Sequence, residues 1–206
     1  VDLPAVGIAG APNAGKSSLL NRLLGAERSI VSQQRKTTRD VVTAVVTLKH
    51  SRAVLFDCAG LVVRPSGVLD ELAQAAAVEA IARASAVLFC VDLSKADFGE
   101  DLAVRRLIEA ECLIGVATKA DLVDGAELPA RLAEFKRLFA LEFLPTSAKT
   151  GMGIDKLNRA IDEALTGALV GAARQGGVAA ALTARHKQAV TEAVASIEEA
   201  VSEVMT

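Results

Sequence analysis

The chain has 206 residues, 51% hydrophobic and 23% charged, with no Trp or Tyr, six Phe and a formal net charge of -2. That length suits one domain, or one domain with an appendage, around a core of Ala, Val, Leu and Ile, and the charge supplies no global attraction toward nucleic acid. Cys58, Cys90 and Cys112 lie in apolar runs without metal-site spacing and read as small buried hydrophobes in a reducing cytoplasm, and no apolar run reaches membrane-spanning length.

Short apolar runs alternate with helical patterns, the signature of an α/β fold with a mostly parallel sheet covered by helices on both faces. Strands are predicted at Ala5–Ala9, Val41–Lys49, Ala53–Asp57, Ala86–Asp92, Cys112–Thr118 and Glu142–Pro145. The second and third are joined by "KHSR" and read as an antiparallel hairpin at one edge. Helices are predicted at Lys16–Leu24, Leu69–Arg83, Leu102–Ala110, Pro129–Ala140 and Ile154–Leu165. After Val170, the glycines Gly171, Gly176 and Gly177 mark a hinge, and Ala180–Met205 reads as one long helix. Its stripe of Val190, Val194, Ile197, Val201 and Val204 needs cover from the globular part, a partner chain or a missing domain. The expected division is therefore 1–167 and 168–206, and a first residue of Val rather than Met fits a piece of a longer chain.

The stretch Gly10-Ala11-Pro12-Asn13-Ala14-Gly15-Lys16-Ser17 follows a strand and opens a helix, so its backbone N–H groups form a nest for phosphate oxygens at a helix N-terminus. Gly10, Ala14, Gly15 and Ser18 frame the nest, and Lys16 is placed to reach the β- and γ-phosphates. The Ser17 hydroxyl suits Mg²⁺. "VLFDCAG" brings Asp57 to a strand end as the carboxylate of the Mg²⁺ shell, with the Gly60 N–H free to meet a γ-phosphate. In "VATKAD", Asp121 can accept both the N1–H and the amino group of guanine, a pair of donors that adenine lacks. Lys119, beside Thr118, can lay its stem along the base. In "TSAK", following Ser147, the Ala148 N–H can bond the guanine carbonyl and Lys149 can cover the other face. Between the loop and Asp57, "SQQRKTTRD" offers Thr38, with Thr37 second, to complete the Mg²⁺ shell and sense the γ-phosphate.

"GAPNAGKSSLLNRLLG", "IVSQQRKTTRD", "DCAGL", "TKAD" and "TSAKTGMGIDKL" together resemble the P-loop GTPases of the group that holds MnmE/TrmE, Era and Der. "LTARHKQAVTEAVASIEEAV" is similar to the helix that follows the G domain in the MnmE/TrmE family, the GTPases of tRNA wobble-uridine modification. The resemblance implies a Ras-like six-stranded sheet with one antiparallel edge strand plus a long C-terminal helix, GTP as substrate and GDP as product. It also implies Mg²⁺, G-domain dimerisation, a partner or further domain reached through 180–205, only indirect dealings with tRNA, and no membrane.

By the same resemblance Asn13 matches a K⁺-binding Asn whose ion offsets charge on the departing γ-phosphoryl. Lys36 stands where the family has a glycine near that ion, and "DCAG" replaces the usual "DTAG". Leu61 follows Gly60 where Ras-like enzymes carry a water-orienting Gln, so that role passes to Gln74, matched to the family's Glu position, with Ala73 the alternative register and Glu71 a substitute. Two other readings stand beside the modification GTPase: a GTP-binding scaffold with weak or no hydrolysis, and an Era- or Der-like ribosome-assembly GTPase.

Overall fold

The computed structural model describes residues 3–26, 43–58, 61 and 67–174. The chain divides into two units, Val1–Thr166 and Gly167–Thr206, and of the second only residues 167–174 are among those described. The elements in chain order are β1 (Ala5–Gly10), α1 (Lys16–Ala26), β2 (Thr43–Thr47), β3 (Arg52–Asp57), α2 (Val68–Ala82) and β4 (Ala86–Asp92). There follow α3 (Gly99–Leu107), β5 (Leu113–Thr118), a 3-10 turn (Ala120–Leu122), α4 (Leu128–Phe139), β6 (Phe143–Pro145) and α5 (Ile154–Arg174).

The sheet runs β2-β3-β1-β4-β5-β6, parallel throughout except for β2, which pairs antiparallel with β3 from Thr43↔Phe56 to Thr47↔Arg52. The expected edge hairpin forms because the Leu48 N–H donates to Ser51 O at 2.8 Å, which ends β2 at Thr47 rather than Lys49. Its turn is tied to α5: the buried Asp162 carboxylate accepts the His50 N–H at 3.0 Å and the Ser51 hydroxyl at 2.6 Å.

Two boundaries depart more from the sequence reading. Helix α3 occupies Gly99–Leu107 instead of Leu102–Ala110. Asp97 takes the Gly99 N–H at 2.9 Å and starts the helix early, while Ile108 turns extended and buries its side chain, ending it early. Helix α5 continues to Arg174, through Gly167 and Gly171, where an end at Leu165 was expected. A mid-helix glycine costs roughly 1 kcal/mol against Ala, and the helix runs past both glycines where the neighbouring Ala168, Leu169, Ala172, Ala173 and Arg174 are among the strongest helix formers. Gly176, Gly177 and the predicted helix Ala180–Met205 lie outside the described residues.

Every residue of β4 is buried, and successive side chains go to opposite faces. Leu88 and Cys90 join Ile8, Leu19, Leu55, Leu157 and Ile161 beneath α1 and α5. Val87, Phe89 and Val91 join Ile81, Val104, Phe135 and Phe143 beneath the opposite layer of helices. In that second cluster Phe89, Phe98, Phe135, Phe139 and Phe143 meet in T-shaped and tilted pairs with ring centroids from 5.0 to 6.4 Å apart. A chain without Trp or Tyr thus concentrates its aromatic packing under one face. Between these layers the carboxyl ends of β1, β3, β4 and β5 open on one edge, and the strand order reverses beside β1, where open α/β sheets bind their ligands.

Candidate functional site

The loop after β1 is shaped by what its backbone excludes. At Gly10 (φ 153°) a Cβ would lie 2.3 Å from the Cys90 carbonyl oxygen, so no side chain fits there. Asn13 stands exposed at φ 60°, a left-handed conformation that Asn tolerates better than most residues. The Lys16 ammonium folds over this loop and donates to Gly10 O and Ala11 O, both at 2.9 Å. A cation parked on two backbone carbonyls marks the position where phosphate oxygens can outcompete neutral acceptors.

Next to it the Ser17 hydroxyl donates to Asp57 Oδ2 at 2.9 Å, joining α1 to the end of β3. Asp57 is 9% exposed and its other oxygen, Oδ1, is buried without a hydrogen-bond partner among the described residues. A desolvated carboxylate oxygen is costly unless something cationic meets it, and a carboxylate beside a hydroxyl is a hard, oxygen-only donor set that suits Mg²⁺. The flanking thiols take no part: burial pushes Cys58 up to about 12, with the Asp57 charge adding to it, and burial does the same to Cys90. Cys58 and Cys90 are the buried hydrophobes expected; Cys112 is only partly covered.

The other half of the site is joined to the first by Thr118. Its hydroxyl points at Ala14 O (2.7 Å) and Val91 O (3.1 Å), bridging 104 residues of sequence to the phosphate loop. Lys119 takes a left-handed conformation (φ 55°), and its ammonium donates to Asp92 Oδ2 at 2.6 Å. Asp92 is 5% exposed, and its Oδ1 accepts the Ser94 N–H at 2.9 Å and the Ser94 hydroxyl at 2.7 Å. Burial alone would raise the Asp92 carboxyl, but the bonds from Lys119 and Ser94 outweigh it and hold the group below the usual carboxylate range.

The "TSAK" turn is closed by Ser147 N–H to Met152 O (2.9 Å) and Thr150 N–H to Ser147 Oγ (3.1 Å), so the buried Ser147 shapes the turn. Gly153 (φ 76°) lets the chain pass Pro145 O, which a Cβ would approach to 2.0 Å. The outcome is a cavity of about 250 Å³ that brings together Gly15, Ser18, Thr118, Lys119, Asp121, Ala148 and Lys149. Leu19 and Leu122 add apolar walls that the sequence reading did not single out.

Other expected residues are elsewhere. Glu71 and Gln74 line a separate depression on α2 with Val78 and Glu79, and Gln74 Oε1 is buried without a partner among the described residues. Leu61 is 2% exposed and packs in the second core cluster, so it faces the core. Lys36, Thr37, Thr38 and Gly60 lie outside the described residues. Asp92, Ser94 and Thr146 were missed by sequence reasoning. Asp92 ends a fully buried strand, and a charged residue closing such a run was the one available signal.

A glycine-framed loop between β1 and α1, the buried Asp57 at the end of β3 and a cavity lined by Asp121 all lie at the carboxyl ends of the strands, the layout expected of a P-loop guanine-nucleotide-binding protein. The profile of the family described as "50S ribosome-binding GTPase" matches residues 5–119. The chain belongs to that family and is a GTPase domain of the group that holds MnmE, Era and Der. It is 39% identical over 193 residues to the tRNA modification GTPase MnmE of Thermus thermophilus, covering 94% of this chain and 39% of that protein. It is 35% identical over 165 residues to GTPase Der of Azorhizobium caulinodans, covering 76% of this chain and 36% of that protein. Among solved structures, an Era variant of Aquifex aeolicus bound to GDP and AlF4- superposes with a TM-score of 0.64 at 28% identity, covering 78% of this chain and 56% of that one. The chain thus spans 39% of the length of the MnmE relative. Among the described residues, no helix is long and apolar enough to cross a membrane.

Proposed function

We propose that this chain is the GTP-hydrolysing switch domain of a tRNA wobble-uridine modification GTPase of the MnmE/TrmE kind. The observation that carries this reading is the reach of the likeness: the Thermus MnmE alignment runs over 193 residues, beyond the 1–166 unit, whereas the Der alignment runs over 165. On this reading residues 1–167 are the G domain, and 168–206, which α5 enters as far as Arg174, is part of a helical domain of a longer chain through which nucleotide state reaches a partner.

In the proposed mechanism the loop N–H groups and Lys16 bind the phosphates, Lys16 exchanging Gly10 O and Ala11 O for phosphate oxygens. Mg²⁺, when bound, would neutralise negative charge on the phosphates. Ser17, Asp57 and Thr38 would hold it, and Gly60 would donate its N–H to the γ-phosphate. Asp121 accepts the two guanine donors, while Lys119 and Lys149 cover the faces of the base. Gln74, or Glu71 in its place, orients the attacking water, which requires the 57–74 segment to carry α2 toward the phosphates.

Asn13, exposed beside the nest, is the K⁺ ligand in this proposal, and GTP turnover is expected to be about a hundredfold faster in KCl than in NaCl, the lower end of what one preorganised electrostatic contact to developing charge supplies. Equal rates would remove K⁺ from the mechanism. Deleting the gene in its own organism and analysing tRNA nucleosides by mass spectrometry tests the larger claim. Loss of modified wobble uridines is expected. Normal tRNA with accumulating free ribosomal subunits would instead favour the ribosome-assembly reading, which the family's description supports.

A further inference from the structure

Lys119 carries two marks of a constrained side chain. Its backbone sits in the left-handed region at φ 55° and ψ 35°, where a non-glycine residue persists only when its surroundings hold it. Its ammonium is fixed to a carboxylate that is almost wholly buried, Asp92, at 2.6 Å. Asp92 is itself held on its second oxygen by both donors of Ser94. The Lys119 carbonyl accepts the Leu122 N–H at 2.9 Å and the Ala120 N–H reaches Thr146 O at 3.0 Å, so the backbone on either side is pinned as well.

We infer that Asp92 is a positioning residue for guanine-nucleotide retention: with Ser94 it anchors the Lys119 ammonium at the end of β4, so that the aliphatic stem is held ready as one wall of the base pocket. This rests on the reading of the cavity as the guanine site. A lysine tip left free would sample many rotamers, and nucleotide binding would then have to order it; anchoring the tip on the protein removes that cost before the ligand arrives. The β4–α3 connection, far from the phosphates in sequence, thereby sets how long the nucleotide stays. Asp92 touches Lys119 and Ser94 and acts on the base only through Lys119.

The test is a double-mutant cycle on the full chain with a fluorescent N-methylanthraniloyl-GDP, reading its dissociation rate by stopped flow. Asp92→Asn keeps shape and an acceptor for Ser94 but offers Lys119 an amide, and it should accelerate release about tenfold, the scale of one hydrogen bond to a charged group. Lys119→Ala should accelerate release at least as much, and Asp92→Asn with Lys119→Ala should match Lys119→Ala alone. A merely structural contribution of Asp92 would instead multiply with the loss of Lys119. Ser94→Ala, a milder change at an exposed residue, should give an increase of about threefold if the anchor is built as described. An Asp92→Asn rate within twofold of wild type while Lys119→Ala releases fast would overturn the positioning role and leave the guanine site standing. An unchanged rate for Lys119→Ala would overturn both.

Discussion

Lys16→Ala is expected to weaken GTP binding about a thousandfold, the worth of two charge-assisted bonds to phosphate at roughly 1.5–3 kcal/mol each, with little change in fold. The ammonium now rests on two neutral carbonyls, Gly10 O and Ala11 O, which water can satisfy when the side chain is removed. Apo stability should therefore change by about 1 kcal/mol or less. Titration calorimetry gives the affinity and thermal unfolding of the empty protein gives the control. Tight GTP binding in the variant would mean that the loop after β1 is not the phosphate site.

A second large effect is expected at the other end of the cavity. Asp121 sits exposed on the 3-10 turn at Ala120–Leu122 and lines the pocket without a side-chain partner among the described residues, with its carboxylate open to a ligand. Asp121→Asn turns one acceptor into a donor against the guanine N1–H and amino group. GTP affinity should fall about a thousandfold on the same scale of charged hydrogen bonds. Xanthosine triphosphate, whose base presents a carbonyl where guanine has its amino group, should gain. Competition between the two triphosphates for a fluorescent nucleotide measures the inversion, and an unaltered preference for GTP would place base recognition elsewhere.

Much of this site could be read before any coordinates because its parts are local. A strand, a glycine-framed loop and a helix start lie within Ala5–Ala26, and from beyond that stretch the loop needs little more than room beside Cys90, the Thr118 hydroxyl on Ala14 O and Asp57 against Ser17. Strand positions were legible for the same reason, since β4 is one continuous apolar run. What escaped was set by contacts across long sequence distances. Asp92 meets Lys119 27 residues on, and Asp162 meets Ser51 111 residues back; neither leaves a periodic trace. The early start of α3 escaped because Gly99-Glu100-Asp101 looks like loop, yet Asp101 is fully buried with Lys95 on one oxygen at 3.0 Å. Burial raises its carboxyl, and the ammonium only partly offsets that. The positions of Glu71 and Gln74 depend on how α2 is carried, which residue types alone do not determine.

The one proton of the Thr118 hydroxyl is shared between Ala14 O, at 2.7 Å in the loop after β1, and Val91 O, at 3.1 Å in β4, and the shorter contact ties that loop to the end of β5 before any ligand arrives. Such a site behaves as a caliper. With the base seated as proposed, the phosphates would be presented to the nest at an effective concentration on the order of millimolar, and their binding would cost no second loss of translational freedom. Guanosine or pyrophosphate alone would forgo that gain, because on the proposed reading each would occupy one jaw. Discrimination in favour of the whole nucleotide is then a property of spacing as much as of any contact, and it is set by a residue that need not touch the base.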